Sequence, residues 1–179
     1  MGQNVSIRPL SPGDEKNVQR YAADAHIAAT SNVPHPYPAN GAKQFVARAA
    51  SDFSSGRRYT FAVSIGESFA GVMTLNAVNR DIGTASLDYW IALPFWNRGI
   101  GTAAARLAVK FAFDEVGLRL IQSGCLARNL ASARLLERNG FSFVDTIIHD
   151  DEGSKFYGEP IRRYELSLTY WQEHKKTNG

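Results

Sequence analysis

A single cysteine, Cys125, stands among the 179 residues of this chain. One thiol excludes an intramolecular disulfide and any thiolate metal cluster. Its place in the strand-like run LIQSGCLA marks it as a buried, inert side chain. No apolar run approaches the ~20 residues that cross a bilayer, which excludes a helical membrane anchor. The N-terminus MGQNVSIRP has no signal-peptide core. Gly2 does not begin a myristoylation signal, because Ile7 and Arg8 stand where small polar residues belong. Neither sign of charge dominates, since 20 Lys and Arg against 17 Asp and Glu leave a net charge of +3. That mild bias suits an anionic cofactor and is too weak for a nucleic-acid partner. Internal repeats, low-complexity tracts and domain linkers are also absent. What remains is ordinary: 44% apolar and 21% charged residues, the composition of a soluble globule. One cytoplasmic domain over residues 1–179, with its core at about 5–168, is expected, without membrane, nucleic acid or metal.

The pattern along the chain alternates strands with a few helices. Val5–Arg8 reads as a first strand. Ser11-Pro12 supplies an N-cap and an N1 proline for a helix reaching about Ala23, with Asp14 and Glu15 in its first turn. The proline-dense segment 31–41, SNVPHPYPANG, fits neither a regular helix nor a central strand. A second helix is predicted at about Ala42–Phe53, ending near Gly56. Arg58–Ile65 and Phe69–Val78 form a hairpin around Gly66-Glu67, and Thr84–Ile91 follows as another strand. After a central helix come a strand at Leu120–Ala127 and a short helix with Asn129 as N-cap and Asn139-Gly140 as stop. The last strands are predicted near Phe141–Ile148 and Arg162–Thr169. Strands grouped on both sides of a helix, with few βαβ units, point to an α+β fold on one mixed sheet.

The densest information lies in Asp88–Thr102, DYWIALPFWNRGIGT. A strand runs into a Pro-marked turn, and a Gly-x-Gly segment then opens an apolar-periodic helix. Such a junction aims free backbone N–H groups and a positive helix end at one spot, a site for phosphate oxygens. Gly99 and Gly101 let a ligand approach the backbone, Arg98 adds charge and Thr102 a hydroxyl. The predicted ligand is a diphosphate. A dinucleotide fingerprint does not fit, because Ala104 holds the third glycine position and Pro94-Phe95-Trp96 separates strand from loop. A P-loop would need Gly-Lys-Ser/Thr, which is missing. A glycine-eased turn without a ligand is the structural alternative.

The run Trp96-Asn97-Arg98-Gly99-Ile100-Gly101-Thr102-Ala103 resembles the acetyl-CoA pyrophosphate loop of GNAT-superfamily N-acetyltransferases. Trp96 replaces the usual Arg or Gln, a departure typical of the RimJ/RimL-type branch. Asn129-x-x-Ser132-x-x-x-Leu136-Glu137-x-x-Gly140-Phe141 is similar to a second segment of that branch, and Pro34-His35-Pro36-Tyr37 to a third. The resemblance implies a GNAT fold. That is a mixed, mostly antiparallel sheet of about seven strands flanked by helices, splayed between the fourth and fifth strands. It implies acetyl-CoA as co-substrate, bound by Arg98, Gly99, Ile100, Gly101, Thr102, Ala103, Asn129 and Ser132 and by backbone N–H groups at Ile91, Ala92 and Leu93. It also implies a primary amine as acceptor, either a protein N-terminus or a small molecule, and direct attack in a ternary complex. A non-catalytic acyl-CoA-binding module, regulatory or scaffolding, is the alternative. The resemblance leaves a monomer and a homodimer equally open.

Acetyl transfer needs a neutral amine, a held carbonyl oxygen as it gains charge, and a thiolate that departs. The Tyr that commonly serves the thiolate falls at Leu136 here, so the resemblance implies Ser132 in its place. A Ser hydroxyl is a poor acid, better suited to hydrogen-bonding sulfur or relaying a proton from water. Strand alternation puts Ser86, Asp88 and Trp90 on one face and Leu87, Tyr89 and Ile91 on the other. Asp88 is the predicted base, with Glu159, His26 and His35 as rivals. The predicted acceptor pocket is walled by Pro34–Pro38, with His35 and Tyr37 as substrate-binding residues, and by Phe69–Val78. Gly101→Val is expected to put a branched side chain in the place of phosphate oxygens. At pH 7 roughly a tenth or more of an α-amine is neutral, against about 0.04% of a lysine side chain. The absence of a conspicuous strong base favours an N-terminal α-amine or another low-pKa amine over lysine.

Overall fold

The computed structural model describes residues 4–175, so the expectation about Gly2 lies outside the described residues. Seven strands form one sheet: β1 Val5–Pro9, β2 Tyr59–Ile65, β3 Ser68–Asn79, β4 Thr84–Ile91, β5 Leu120–Leu126, β6 Ser142–Ile148 and β7 Pro160–Ser167. Their order is β1-β2-β3-β4-β5-β7-β6. Every neighbouring pair is antiparallel except β4 and β5, which run parallel. The helices are α1 Glu15–Ala22, α2 Ala25–Ala28, α3 Gly41–Ser55, α4 Ile100–Lys110, α5 Leu130–Arg138 and α6 Leu168–Lys175. This is the GNAT fold that the resemblance implies. No helix among the described residues is long and apolar enough to cross a membrane.

Alternation along the central strands sorts side chains onto two faces of the sheet. Ala62, Val72 and Trp90 pack with Val18 and Ala22 of α1 and Ala42, Val46 and Ala49 of α3. Leu87, Tyr89 and Ile91 pack instead with α4 residues such as Ala104 and Ala108 and with Ala133 and Leu136 of α5. β2, buried along nearly all its length, is covered on both faces, which explains why its sequence YTFAVSI is mostly apolar.

The feature that positions the site is where β4 and β5 stop pairing. Their ladder joins only Thr84–Ser86 to Leu120–Gln122. One step further the Ser123 hydroxyl donates to the Leu87 carbonyl at 2.8 Å, a side-chain bridge at the fork. Beyond it Tyr89–Ile91 and Gly124–Leu126 border an open wedge, as expected for the splay between the fourth and fifth strands.

Several local expectations shift. The first helix begins as a 3₁₀ turn at Pro12–Asp14. Asp14, in that first turn as expected, is buried and accepts from the Ser11 N–H at 2.9 Å and from both terminal Arg8 guanidinium nitrogens at 2.7 Å. The last strand starts at Pro160 and ends at Ser167, and 168–175 is helix where the sequence reading continued the strand to Thr169. Ser167 makes that turn, its hydroxyl accepting from the Tyr170 N–H at 3.2 Å in the manner of an N-cap. The four-residue α2, capped by the Asp24 carboxylate on the His26 N–H, is too short to leave a periodic pattern.

Candidate active site

A cavity of about 1100 Å³ runs through the wedge and reaches both faces of the sheet. On the α5 side the start of α4 borders it through Gly99, Ile100, Gly101 and Thr102. Gly99 precedes the helix at φ +73°, with open space where a Cβ would stand. Asn97 is also left-handed, at φ 57°. Among the described residues no carbonyl accepts from the N–H groups of Gly99, Ile100, Gly101 or Thr102. Those four free donors lie together at a helix start, a cradle whose geometry suits an anion.

Two cofactor expectations are corrected by the backbone. The Ala103 N–H bonds the Gly99 carbonyl at 3.0 Å, so it belongs to the helix ladder. The Ala92 N–H bonds Ala70 at 2.8 Å, so it serves β3 and faces away from the wedge. Arg98 does not line the cavity; its guanidinium lies 5.6 Å from the Phe95 ring centre. Leu93 also lies outside the lining and is partly exposed. Strand alternation names the donors that replace Ala92. Leu87 faces its carbonyl toward β5, so Tyr89 and Ile91, two and four residues on, point their N–H groups into the wedge. Ile91 was expected there and Tyr89 was not.

Gly101 has a different reason from the expected one. A Cβ there would meet Leu135 Cδ1 at 2.8 Å and Ile91 Cγ1 at 3.3 Å. The glycine lets α4 approach α5 and the end of β4, and phosphate oxygens are not what its absent side chain admits. Trp96, in the usual Arg or Gln position, donates its indole N–H to the Ile91 carbonyl at 2.6 Å and so ties the loop to the strand end.

The short helix presents the predicted polar pair. Asn129 caps α5, its side-chain oxygen accepting from the Ser132 N–H at 3.1 Å, and both residues line the cavity. Leu136 is fully buried in the core, so no hydroxyl comes from the usual Tyr position. The Tyr89 hydroxyl stands instead 2.5 Å from Ser132 Oγ. Burial pushes the Tyr89 phenol well above its usual range, against a smaller opposing effect of the Ser132 hydrogen bond. It therefore stays protonated. The signal was present, because alternation places Tyr89 on the α5 face opposite Asp88; only tertiary packing reveals Ser132 as its partner. Cys125 is buried beside this pair, and burial raises its thiol, consistent with an inert residue.

Asp88 opens onto the α3 side of the same cavity. It accepts a short hydrogen bond from the Asn76 amide nitrogen. Burial raises its carboxyl, while Asn76 and, more distantly, Arg58 act in the opposite direction. The rivals do not reach the cavity. Glu159 is paired with Arg128 at 2.8 Å, which holds its carboxyl below the usual range. His26 is bonded to Asp24 at 2.9 Å, and His35 is exposed outside the cavity, which corrects its expected place on the acceptor wall. Tyr37, Pro34 and Pro38 line the cavity, as do Val72, Thr74 and Asn76 of β3. His149 also lines the cavity, and nothing in the sequence pattern marked it.

The profile described as acetyltransferase (GNAT) domain matches residues 4–142. The chain is 26% identical over 147 residues to a probable N-acetyltransferase, YjcK, of Bacillus subtilis (strain 168), covering 78% of this chain and 81% of that one. It superposes on RimL, a ribosomal L7/L12 alpha-N-protein acetyltransferase in complex with coenzyme A, with TM-score 0.83 and 16% identity over 93% and 95% of the two chains. It also superposes on a spermidine N-acetyltransferase from Vibrio cholerae in complex with CoA and spermine, with TM-score 0.81 and 15% identity over 94% and 98%. Identities this low speak for the fold alone, and the assignment rests on the profile: the chain belongs to the acetyltransferase (GNAT) domain family.

Proposed function

We propose that this chain transfers the acetyl group of acetyl-CoA to a primary α-amine, with the thioester lying in the wedge between β4 and β5. The observation that carries this reading is that one cavity joins two different chemistries across the sheet. The α5 side offers the cradle at Gly99–Thr102 and the Tyr89–Ser132 hydroxyl pair, and the α3 side offers Asp88. The residues fit the co-substrate's chemistry: four unpaired N–H groups suit a pyrophosphate, and the inward N–H groups of Tyr89 and Ile91 suit the polar groups of its arm. Bound there, acetyl-CoA supplies the activated acyl carbon.

The protein's own contributions then divide by face. The Ile91 N–H, at the open end of β4, points toward the carbonyl oxygen that gains charge. Asp88 takes the proton that the amine nitrogen loses as it bonds to the acyl carbon, and its raised carboxyl makes it a better acceptor than a surface aspartate. On the other face the Tyr89 and Ser132 hydroxyls share a hydrogen bond; with the Tyr89 O–H as its donor, the Ser132 hydrogen is left for the sulfur as the carbon–sulfur bond breaks. A phenol held this high does not give up its proton outright. The pair stabilises the thiolate, and a water proton completes the thiol. The free, buried thiol of Cys125 suits a reducing cytoplasmic setting. Thiol release from acetyl-CoA in the presence of amine acceptors tests the reading. Release that depends on an amine supports it, and tight acetyl-CoA binding with no amine-dependent release identifies a non-catalytic module.

A further inference from the structure

The α3 face of the sheet should be apolar where a helix covers it, yet a polar patch interrupts it. The register sets Thr60 beside Thr74 and Thr74 beside Asp88. Asn76 lies one pleat away in the same face, and Arg58 precedes β2 next to it. Asn76, Asp88 and Arg58 all line the cavity, and Arg48 joins them from α3, one turn beyond Gln44. Two features of this patch are unfinished. Asn76 Oδ1 is buried and has no hydrogen-bond donor among the described residues, while the Asn76 amide nitrogen serves Asp88. Such an orphaned acceptor calls for an N–H from a ligand. The charge is also unbalanced. Arg48 makes no ion pair among the described residues, and Arg58 reaches Asp52 only at 3.9 Å, where Arg57 already pairs at 3.1 Å. Asp88 is the one carboxylate among the described lining residues, against Arg48 and Arg58 on this side.

We infer that the acceptor is an α-amine whose own molecule carries a carboxylate. Asn76 Oδ1 and Asp88 accept from the amine, and Arg58 and Arg48 hold the carboxylate. This deepens the reading of the cavity as an acetyltransferase site and rests on it. The chemistry separates the chain from the spermidine enzyme it superposes on, because a polyamine would bring further cations against two guanidinium groups. Two sources share the required chemistry: a free acidic amino acid and an acidic peptide N-terminus.

The test uses Ala-Glu, Ala-Gln and Ala-Lys dipeptide amides, free glutamate and spermidine as acceptors, with kcat/KM read by thiol release. Ala-Glu amide is expected to exceed Ala-Gln amide by about tenfold or more, the size of one charge-assisted contact, with Ala-Lys amide and spermidine below both. Glutamate outrunning Ala-Glu amide identifies the free amino acid as the source, and the reverse identifies a peptide. Arg48→Gln should pull the Glu-to-Gln ratio toward one without changing the KM for acetyl-CoA. The same preference is read without turnover, by calorimetry of the N-acetylated Glu and Gln dipeptide amides on the CoA-saturated protein. Absence of thiol release with every acceptor would therefore sink the enzymatic reading alone. Equal binding of the two acetylated dipeptides, or spermidine as the best acceptor, would overturn the carboxylate assignment.

Discussion

At the scale of single residues, Asp88 sets activity against stability. Its carboxyl is raised by burial, so the folded state holds its proton over an interval in which the unfolded chain has lost it. Stability therefore falls as pH rises through that interval and stays lower above it. Asp88→Asn keeps an acceptor for the Asn76 amide and removes the buried charge. It is predicted to melt higher than the parent at pH 7, with the difference vanishing near pH 3, as thermal denaturation at the two pH values would show. The same variant should lose kcat/KM most at low pH, where neutral amine is scarce, and recover in part as pH approaches the amine's own value near 7.7–8.0. A pH-independent loss would remove Asp88 from proton transfer. Tyr89 and Ser132 make a second pair of predictions. Tyr89→Phe and Ser132→Ala should each lower kcat by about tenfold while acetyl-CoA affinity stays within a few-fold, because their hydrogen bonds matter most as charge grows on sulfur. The double variant should lose little more than either single one, since the two hydroxyls act as a unit. Additive losses would show two separate roles.

Among the elements, the loop before α4 carries the sharpest contrast. Gly101→Ala must push Leu135 and Ile91 aside, so it is predicted to loosen the α4–α5 contact and lower the melting temperature. Gly99→Ala meets open space but forces an alanine to φ +73°, a penalty of about 1 kcal/mol, and should leave the α4–α5 packing intact. Both variants can be compared by denaturant titration and by acetyl-CoA calorimetry. The element level was also where the sequence spoke most clearly. β4 runs over Thr84–Ile91 as the pattern predicts, because polar and apolar residues alternate from Thr84 to Asp88 and a proline follows closely. The hairpin at Gly66-Glu67 and the Asn129 cap were equally visible, each written in turn or cap chemistry. α6 was not, because LTYWQEHK has no apolar stripe and its one signal, Ser167 as N-cap, sits inside a strand pattern. The committed N–H groups of Ala92 and Ala103 were invisible for a related reason. Which edge of a strand a donor faces depends on its pairing partner, and residue type carries no trace of it.

For the whole molecule, the sheet acts as a partition with one opening. Asp88 and Ser132 were both legible as chemistry-bearing residues, yet they sit on opposite faces and share a cavity only because β4 and β5 part after Leu87. In the proposed function the amine approaches from the side of α3 and the proline-rich segment, and the thiol leaves on the side of α5. That division depends on non-local pairing, which explains why neither His149 nor the Tyr89–Ser132 contact across 43 residues was legible in the residue pattern. The central claim is that acetyl-CoA occupies the wedge with its pyrophosphate at the start of α4. Residue-resolved amide hydrogen exchange with and without acetyl-CoA tests it most directly. The account predicts slowed exchange at Tyr89, Ile91 and Gly99–Thr102, with Ala92 and Ala103, already bonded within the protein, little changed. Binding without protection at those six amides, or protection centred on another part of the sheet, would contradict it.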